Sequence, residues 1–284
     1  MPERGNVFIT GATSGIGKAC ALQLSELGYR VYGTARNAPS IEELTASEAM
    51  AGPATAKLPY TLFRMDVRDE ESVRKGISFM LEREGHIDAV VNNAAISVAG
   101  SVEETTMDEV RDQVNTDFYG TLHVCRAVLP GMRGQRKGLI VNVGSLAGVM
   151  AIPFQSTYSA CKAAILGLSE ALQLEVEPFG IRIVVVEPGD TKTGFTANRR
   201  DTGGMADGSP YTERFRRVMA AASKSEQEGW PAEAVAKKVV KIIGMKNPGF
   251  RYKPAMFLQR FGATVRKILP DRLFHQILAK FYDV

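Results

Sequence analysis

Tyr158 and Lys162 stand four residues apart in Tyr158-Ser159-Ala160-Cys161-Lys162, at the start of a stretch that predicts a helix over residues 156–178. That spacing puts both side chains on one helix face. A free phenol titrates near pH 10, too high to exchange protons readily at neutral pH. A neighbouring ammonium favours the phenolate and lowers that pKa. Tyrosine so placed can act as a general acid towards a carbonyl oxygen and as a base towards an alcohol. The pair occurs on many helices and carries little alone, but two more polar residues join it. Ser145 follows the run Leu139–Val143, which reads as a strand, and its hydroxyl there can hydrogen-bond a developing alkoxide. Asn115 falls inside a long helical segment, 108–133, where a buried amide can kink the helix and hold a water that passes protons to Lys162.

A second constellation lies near the start of the chain. Thr10-Gly11-Ala12-Thr13-Ser14-Gly15-Ile16-Gly17 follows the first strand-like run and opens the first helical one. Glycines at 11, 15 and 17 let the backbone approach a pyrophosphate, and a helix N-terminus offers N–H donors and a favourable dipole. After the second strand, where a dinucleotide site for NAD would carry a carboxylate for the ribose 2′-hydroxyl, the chain reads Thr34-Ala35-Arg36-Asn37. A guanidinium suits a 2′-phosphate instead. With Ser14 as an added donor, the expectation is NADP, with NAD open if Arg36 is only a solvated surface residue.

The elements that must position these residues follow from the hydrophobic pattern. Short apolar runs at Val7–Thr10, Arg30–Thr34, Thr61–Val67, Ala89–Asn93, Leu139–Val143 and Ile181–Val186 alternate with helical segments at 15–28, 69–84, 108–133 and 156–178. Strands apolar on both sides lie between helix layers. The alternation predicts an α/β fold: a doubly wound, Rossmann-type parallel sheet in three α/β/α layers, with its ligand crevice at the carboxyl ends of the strands. One domain over residues 1–250 is expected, with a substrate loop at about 194–230, a helix from Pro231 to 244, and a C-terminal extension over 251–284.

Of the 284 residues, 45% are hydrophobic and 23% charged, which excludes a disordered or collagen-like chain. Three cysteines, Cys20, Cys125 and Cys161, are too scattered for a disulfide framework or a zinc site, and a reducing cytoplasm is the expected compartment. Neither a signal peptide nor a membrane-spanning run is read. His86 and His123 have no partners at metal spacing. The net charge of +4 is uneven: residues 251–284 hold seven basic and two acidic residues, so the first 250 sum to −1. Nucleic-acid binding has no support beyond that tail.

Taken together, the chain resembles the short-chain dehydrogenase/reductase family in its single-domain form. The resemblance rests on the Thr10–Gly17 loop, Asp66, Asn92-Asn93-Ala94-Ala95, Asn115, Ser145, Tyr158, Lys162, and Pro188-Gly189 with Thr193, in family order from residue 6 to about 195, with thirteen positions from Ser145 to Tyr158. It implies an NADP-dependent oxidoreductase interconverting a ketone or aldehyde and an alcohol without a catalytic metal. Tyr158 would be the acid/base, favoured further by a bound oxidised nicotinamide. Lys162 would hold the nicotinamide ribose, Ser145 the substrate oxygen, and Asn115 the proton relay. Asp66 and Val67 would meet the adenine, Asn93 and Ala94 the adenosine side, and Pro188, Gly189, Thr191 and Thr193 the carboxamide. Ala95 stands where the family usually has glycine; if that position needs positive φ, the alanine is strained by about 1 kcal/mol. The family also implies a homodimer or homotetramer.

For substrate, the apolar segment Leu146–Phe154, with Phe195, is expected to line a hydrophobic pocket, or else to pack beneath a lid or subunit contact. Tyr29–Arg36 and the basic tail resemble family branches that act on steroid-like or other lipophilic ketones and alcohols. The tail's helical stripes, broken at Pro270, fit a lid, a subunit contact or an anionic membrane surface. The competing reading is a non-catalytic NADP-sensing interaction protein.

Overall fold

The computed structural model describes residues 4–51, 58–202 and 208–282. Residues 203–207 of the expected substrate loop therefore lie outside the described residues.

Strands β1 (Asn6–Thr10), β2 (Arg30–Ala35), β3 (Thr61–Arg64) and β4 (Ala89–Asn92) are followed by a two-residue β5 (Val98–Ala99), then β6 (Gly138–Val143) and β7 (Ile181–Val186). Three further two-residue strands are β8 (Thr191–Lys192), β9 (Arg200–Asp201) and β10 (Trp230–Pro231), and β11 (Arg251–Tyr252) comes last. Seven of these form one parallel sheet in the order β11-β7-β6-β4-β1-β2-β3. The chain runs outward from β1 to β3, then returns to β4 on the other side of β1. That reversal opens a crevice at the carboxyl ends of β1 and β4.

Alternation along the strands divides the core. Val7, Ile9, Val184 and Val186 face one layer, with Cys20 and Leu24 of α1 (Gly15–Glu26). Phe8, Val90, Ile140 and Ile183 face the other, with Ile77 and Met80 of the helix at Glu70–Glu84. In order after α1, α2 spans Ile41–Ala51, α3 Glu70–Glu84, α4 Met107–Val114, α5 Gly120–Gln135, α6 Ser156–Val176, α7 Thr212–Glu228 and α8 Ala232–Ile243. The C-terminal pair is α9 (Phe257–Val265) and α10 (Asp271–Tyr282). Local chemistry sets several of these ends. Asp69 caps α3 by accepting from the Glu71 N–H, and Gly85 ends it with φ 74°. Thr106 and Glu109 close a capping box on α4.

Five expectations change. The expected helix 108–133 is α4 and α5 joined by one π-helical turn, Asn115–Tyr119. The expected loop 194–230 is half helix, because α7 buries Phe215, Val218 and Met219. Pro231 caps α8 from extended backbone and does not enter its first turn. The boundary at 250 cuts too early: Arg251 and Tyr252 pair with Val185 and Val186 at the sheet edge, and the Arg251 guanidinium binds the buried Glu187 carboxylate. The extension proper begins at α9. Ala95 carries no strain of the kind expected, since among the described non-glycine residues only Arg136 and Phe154 have positive φ.

Candidate active site

A cleft of about 520 Å³ opens at the carboxyl ends of the central strands. Its floor is the turn from β1 into α1. Gly11 and Gly15 there have φ +67° and +53°, open to glycine at little cost. A Cβ on Gly17 would lie 2.3 Å from the Gly11 carbonyl oxygen and 2.5 Å from Asn93 Nδ2, so this glycine permits the helix to close on the loop. Thr10 pins the same turn: its hydroxyl accepts from the Asn93 and Ala94 N–H groups at 3.0 Å each. Asn93 Nδ2 donates back to the Thr10 and Gly11 carbonyls at 3.0 and 3.1 Å. Its amide is committed to the loop, where the family resemblance had placed it against the adenosine.

Around this floor the cleft gathers Gly11, Thr13, Ser14, Gly15 and Ile16; Arg36 and Asn37 after β2; Asp66 and Val67 after β3; and Asn93, Ala94 and Ala95 after β4. Ser145 follows β6, Tyr158 and Lys162 come from α6, and Pro188, Gly189, Thr191 and Thr193 follow β7. Of the residues expected to hold the cofactor or to act in catalysis, Gly17 and Asn115 alone do not line it. The chemistry of this set fits a dinucleotide. Ser14 precedes α1 without capping it, and the first turn holds no acidic side chain, so its N–H groups face the cleft as anion donors. The Thr34 hydroxyl is buried in the cleft wall and has no partner among the described residues. Arg36 is exposed at the rim. Burial disfavours the charged form of Asp66, but hydrogen bonds from the Arg68 side chain and backbone, with the charges of Arg68 and Arg36, together outweigh it and hold the carboxyl below its usual range.

At the other end, Lys162 is buried and donates to the Val143 carbonyl at 3.2 Å. Its Nζ lies 5.5 Å from the Tyr158 ring centroid. A buried relay fixes the helix that carries both: Asn92 donates to Asn142 (2.9 Å), Asn142 to Ser169 (2.8 Å), and Ser169 to the Ile165 carbonyl (2.6 Å). The Ser145 hydroxyl accepts from the Ala147 N–H at 3.1 Å, which orients it at the strand end. The phenol pKa of Tyr158 is raised, against the lowering expected from Lys162 alone. Burial is the largest cause; Lys162 and the Ser145 hydroxyl oppose it, and the Asp117 carboxylate adds to it. Cys161 is a buried, packed thiol pushed up to about 12 by desolvation.

Asn115 is not in this cluster. It is exposed, and the buried acidic residue two positions on takes the place beside Lys162. Gln113 Oε1 accepts from Val98 N (2.9 Å) and its Nε2 donates to the Ile96 carbonyl (2.8 Å), while Asp117 Oδ1 accepts from Ile96 N (2.9 Å). Both side chains thus face the β4–β5 connection. A residue two positions from each is turned about 200° away on a helix, which puts Asn115 towards solvent. The buried stripe Thr121, Val124, Cys125, Val128 and Met132, extended back by helical spacing, reaches Asp117 and Gln113, and that was the available signal. Asp117 is fully buried with Oδ2 3.6 Å from Lys162 Nζ, and that oxygen has no hydrogen-bond partner among the described residues. Desolvation pushes its pKa up from 3.8 to about 6, with Lys162 pulling the other way. Desolvation is the largest influence on Lys162 and lowers its pKa, but Asp117, Tyr158 and Cys161 together more than offset it and the net direction is up.

The apolar segment 146–154 mostly turns away from the cleft. Ile152 lines it, but Leu146 and Met150 pack against Ala255 and Ala263 of the tail. Phe154 joins Phe215 and Tyr282. Phe195 does face the site, with its ring 5.6 Å from that of Tyr158.

This sheet, switch-point cleft and Ser–Tyr–Lys arrangement define a dinucleotide-dependent oxidoreductase scaffold. A short chain dehydrogenase family model matches residues 5–204, and the chain belongs to the short-chain dehydrogenase/reductase family. It is 38% identical over 278 residues to the 3-ketodihydrosphingosine reductase of Bacteroides thetaiotaomicron, covering 98% of each chain. A short-chain dehydrogenase from Streptomyces avermitilis superposes with a TM-score of 0.78 at 30% identity over 94% of each chain. The structure of ElxO with NADP bound gives a TM-score of 0.69 at 26% identity, covering 88% of this chain and 96% of that one.

Proposed function

We propose that this protein is an NADPH-dependent reductase of a lipophilic ketone. The observation that carries the reading is the convergence of Ser145, Tyr158 and Lys162 at one end of a cleft whose other end has an uncapped helix N-terminus. The bound nicotinamide would supply the hydride and, once oxidised, a positive charge. The Tyr158 hydroxyl donates its proton to the substrate oxygen as that oxygen gains charge. Ser145 hydrogen-bonds the same oxygen and fixes its position. Lys162 keeps a cation beside the phenol, so the phenolate left behind is stabilised.

Arg36 supports NADP, because it is exposed at the end of β2, where the sequence carries no carboxylate for a ribose 2′-hydroxyl, and a guanidinium pairs with a 2′-phosphate. Phe195, whose ring meets that of Tyr158, and Ile152, which lines the same cleft, support an apolar substrate. The relatedness to a 3-ketodihydrosphingosine reductase along nearly the whole chain supports a lipid ketone of that kind. A homo-oligomer is part of the proposal, with exposed Tyr119 and Leu174 suiting a subunit contact, and light scattering tests it.

The deciding experiment is NADPH oxidation over ketones from small polar ones to 3-ketodihydrosphingosine, with Tyr158→Phe alongside. Turnover on lipid ketones, falling by about 10²-fold or more in the variant, is expected. Arg36→Ala should weaken NADPH about 10-fold or more and spare NADH, as loss of a charged hydrogen bond does. NADPH binding without turnover on any ketone would overturn the reductase reading in favour of a sensor.

A further inference from the structure

The two C-terminal helices present opposite faces to different surroundings. Inward, Ala263 and Phe274 are buried, Gln259 Nε2 donates to Asp190 at 2.7 Å, and Tyr282 packs with Phe154 and Phe215. Asp190 lines the cleft, so α9 and α10 are clamped to its rim. Outward, Phe257 is 82% exposed, Leu258 71% and Ile268 77%, with Phe261, Ile277 and Phe281 about half exposed. Phe257, Leu258 and Phe261 share one face of α9, and Leu273, Ile277 and Phe281 repeat every four residues along α10. Single exposed apolar side chains are ordinary, but two adjoining stripes of them are not.

Apart from Asp271, the charges that α9 and α10 carry beside these stripes are positive. Arg266 pairs with Asp271, and Arg251 with Glu187. Lys253, Arg260, Lys267, Arg272 and Lys280 have no carboxylate partner among the described residues. They also crowd one another: after its own burial, Arg251 holds the Lys253 pKa down most, Glu187 opposes it, and Lys267 and Arg260 add smaller lowering contributions. A second copy docked here by two-fold symmetry would set this cationic surface against itself. An anionic bilayer neutralises it and takes up the apolar stripes.

We propose that the outer face of α9 and α10 is a docking surface for an anionic lipid membrane, holding the cleft rim at the bilayer. Phe257, Leu258 and Phe261 enter the acyl boundary, and Arg260, Lys267 and Arg272 meet the headgroups. Membrane binding stands independently of the catalytic reading; only the benefit, entry of a lipid ketone without crossing water, rests on it.

The test is cosedimentation of the full-length protein with phosphatidylcholine vesicles, with and without phosphatidylserine. Binding to the phosphatidylserine vesicles that falls with added salt is expected, with little to phosphatidylcholine alone. R260E/K267E/R272E should reduce it by about 100-fold or more, taking about fivefold per cation lost at the surface. F257S/L258S/F261S should reduce it at least about 10-fold, with a thermal melt matching the parent because these side chains are exposed. No vesicle binding at low salt, or binding equal in the parent and both variants, overturns the proposal. So does a parent oligomer that F257S/L258S/F261S converts to monomer while neither form binds vesicles, which assigns the face to a second copy.

Discussion

Replacing Asp117 by asparagine should stabilise the protein at neutral pH. The carboxylate lies 3.6 Å from the Lys162 ammonium, and both groups are buried. At an effective dielectric of about 20, that separation is worth about 4–5 kcal/mol of attraction. The variant still buries the Lys162 ammonium, so that attraction is set only against the several kcal/mol that taking the one carboxylate out of water costs, with its Oδ2 left without a hydrogen-bond partner among the described residues. The raised pKa of Asp117, which already includes the pull of Lys162, decides the sign: from 3.8 to about 6 is roughly two units, or about 3 kcal/mol. An acid whose folded pKa is raised loses stability as pH climbs from its unfolded to its folded value. Wild type should therefore weaken relative to Asp117→Asn across that window. The expected difference is about 1 kcal/mol near pH 4.5, growing to about 3 kcal/mol near pH 7.5. In thermal melts, that is a gain of about 6–12 °C for the variant near pH 7.5 and much less near pH 4.5. Equal melts at both pH values, or a variant less stable near pH 7.5, would refute the reasoning and make the ion pair net stabilising.

Arg251→Ala leaves the buried Glu187 carboxylate without its guanidinium and should cost about 3–5 kcal/mol, read as a melting temperature lower by about 10 °C. Truncation after residue 250 should be at least as damaging, because it also removes β11 from the sheet edge. Gly17→Ala drives a methyl into the Gly11 carbonyl and Asn93, so NADPH affinity measured by fluorescence should fall at least about 10-fold even where the protein still folds.

The sheet was legible because its strands are buried on both sides, and a run such as Ile181–Val186 has one reading in that setting. The glycine loop and the Tyr158–Lys162 pair were legible because each is defined by local spacing, which sequence carries directly. Two-residue strands such as β11 were not, since Arg251 and Tyr252 become a strand only by pairing with β7. Nor was α7, whose exposed face is polar enough to read as loop while Phe215, Val218 and Met219 hold the other. Asp117 was missed for a different reason. An asparagine two residues before it matched an expected residue type, and the pattern was satisfied before helical phase was applied. The side chain that reaches Lys162 is settled by which face α4 and the π turn press against Ile96.

That substitution of charge for amide beside Tyr158 and Lys162 bears on the direction of the proposed reaction. Asp117 raises the Tyr158 pKa, in the same sense as burial, and so favours the protonated phenol. A protonated phenol is the form that donates a proton to a ketone; alcohol oxidation needs the phenolate. At neutral pH the site is therefore set as an acid, and oxidation should rise with pH while reduction stays level until the phenol ionises. Asp117→Asn removes the negative charge and leaves Lys162 cationic below its own pKa, so the oxidative limb should move to lower pH. The measurement is kcat/KM for alcohol oxidation against pH in both proteins, with the reductive profile as control. A limb that stays in place or moves up would show that Asp117 acts on Tyr158 mainly by keeping Lys162 charged, and the bias towards reduction would have to come from burial alone.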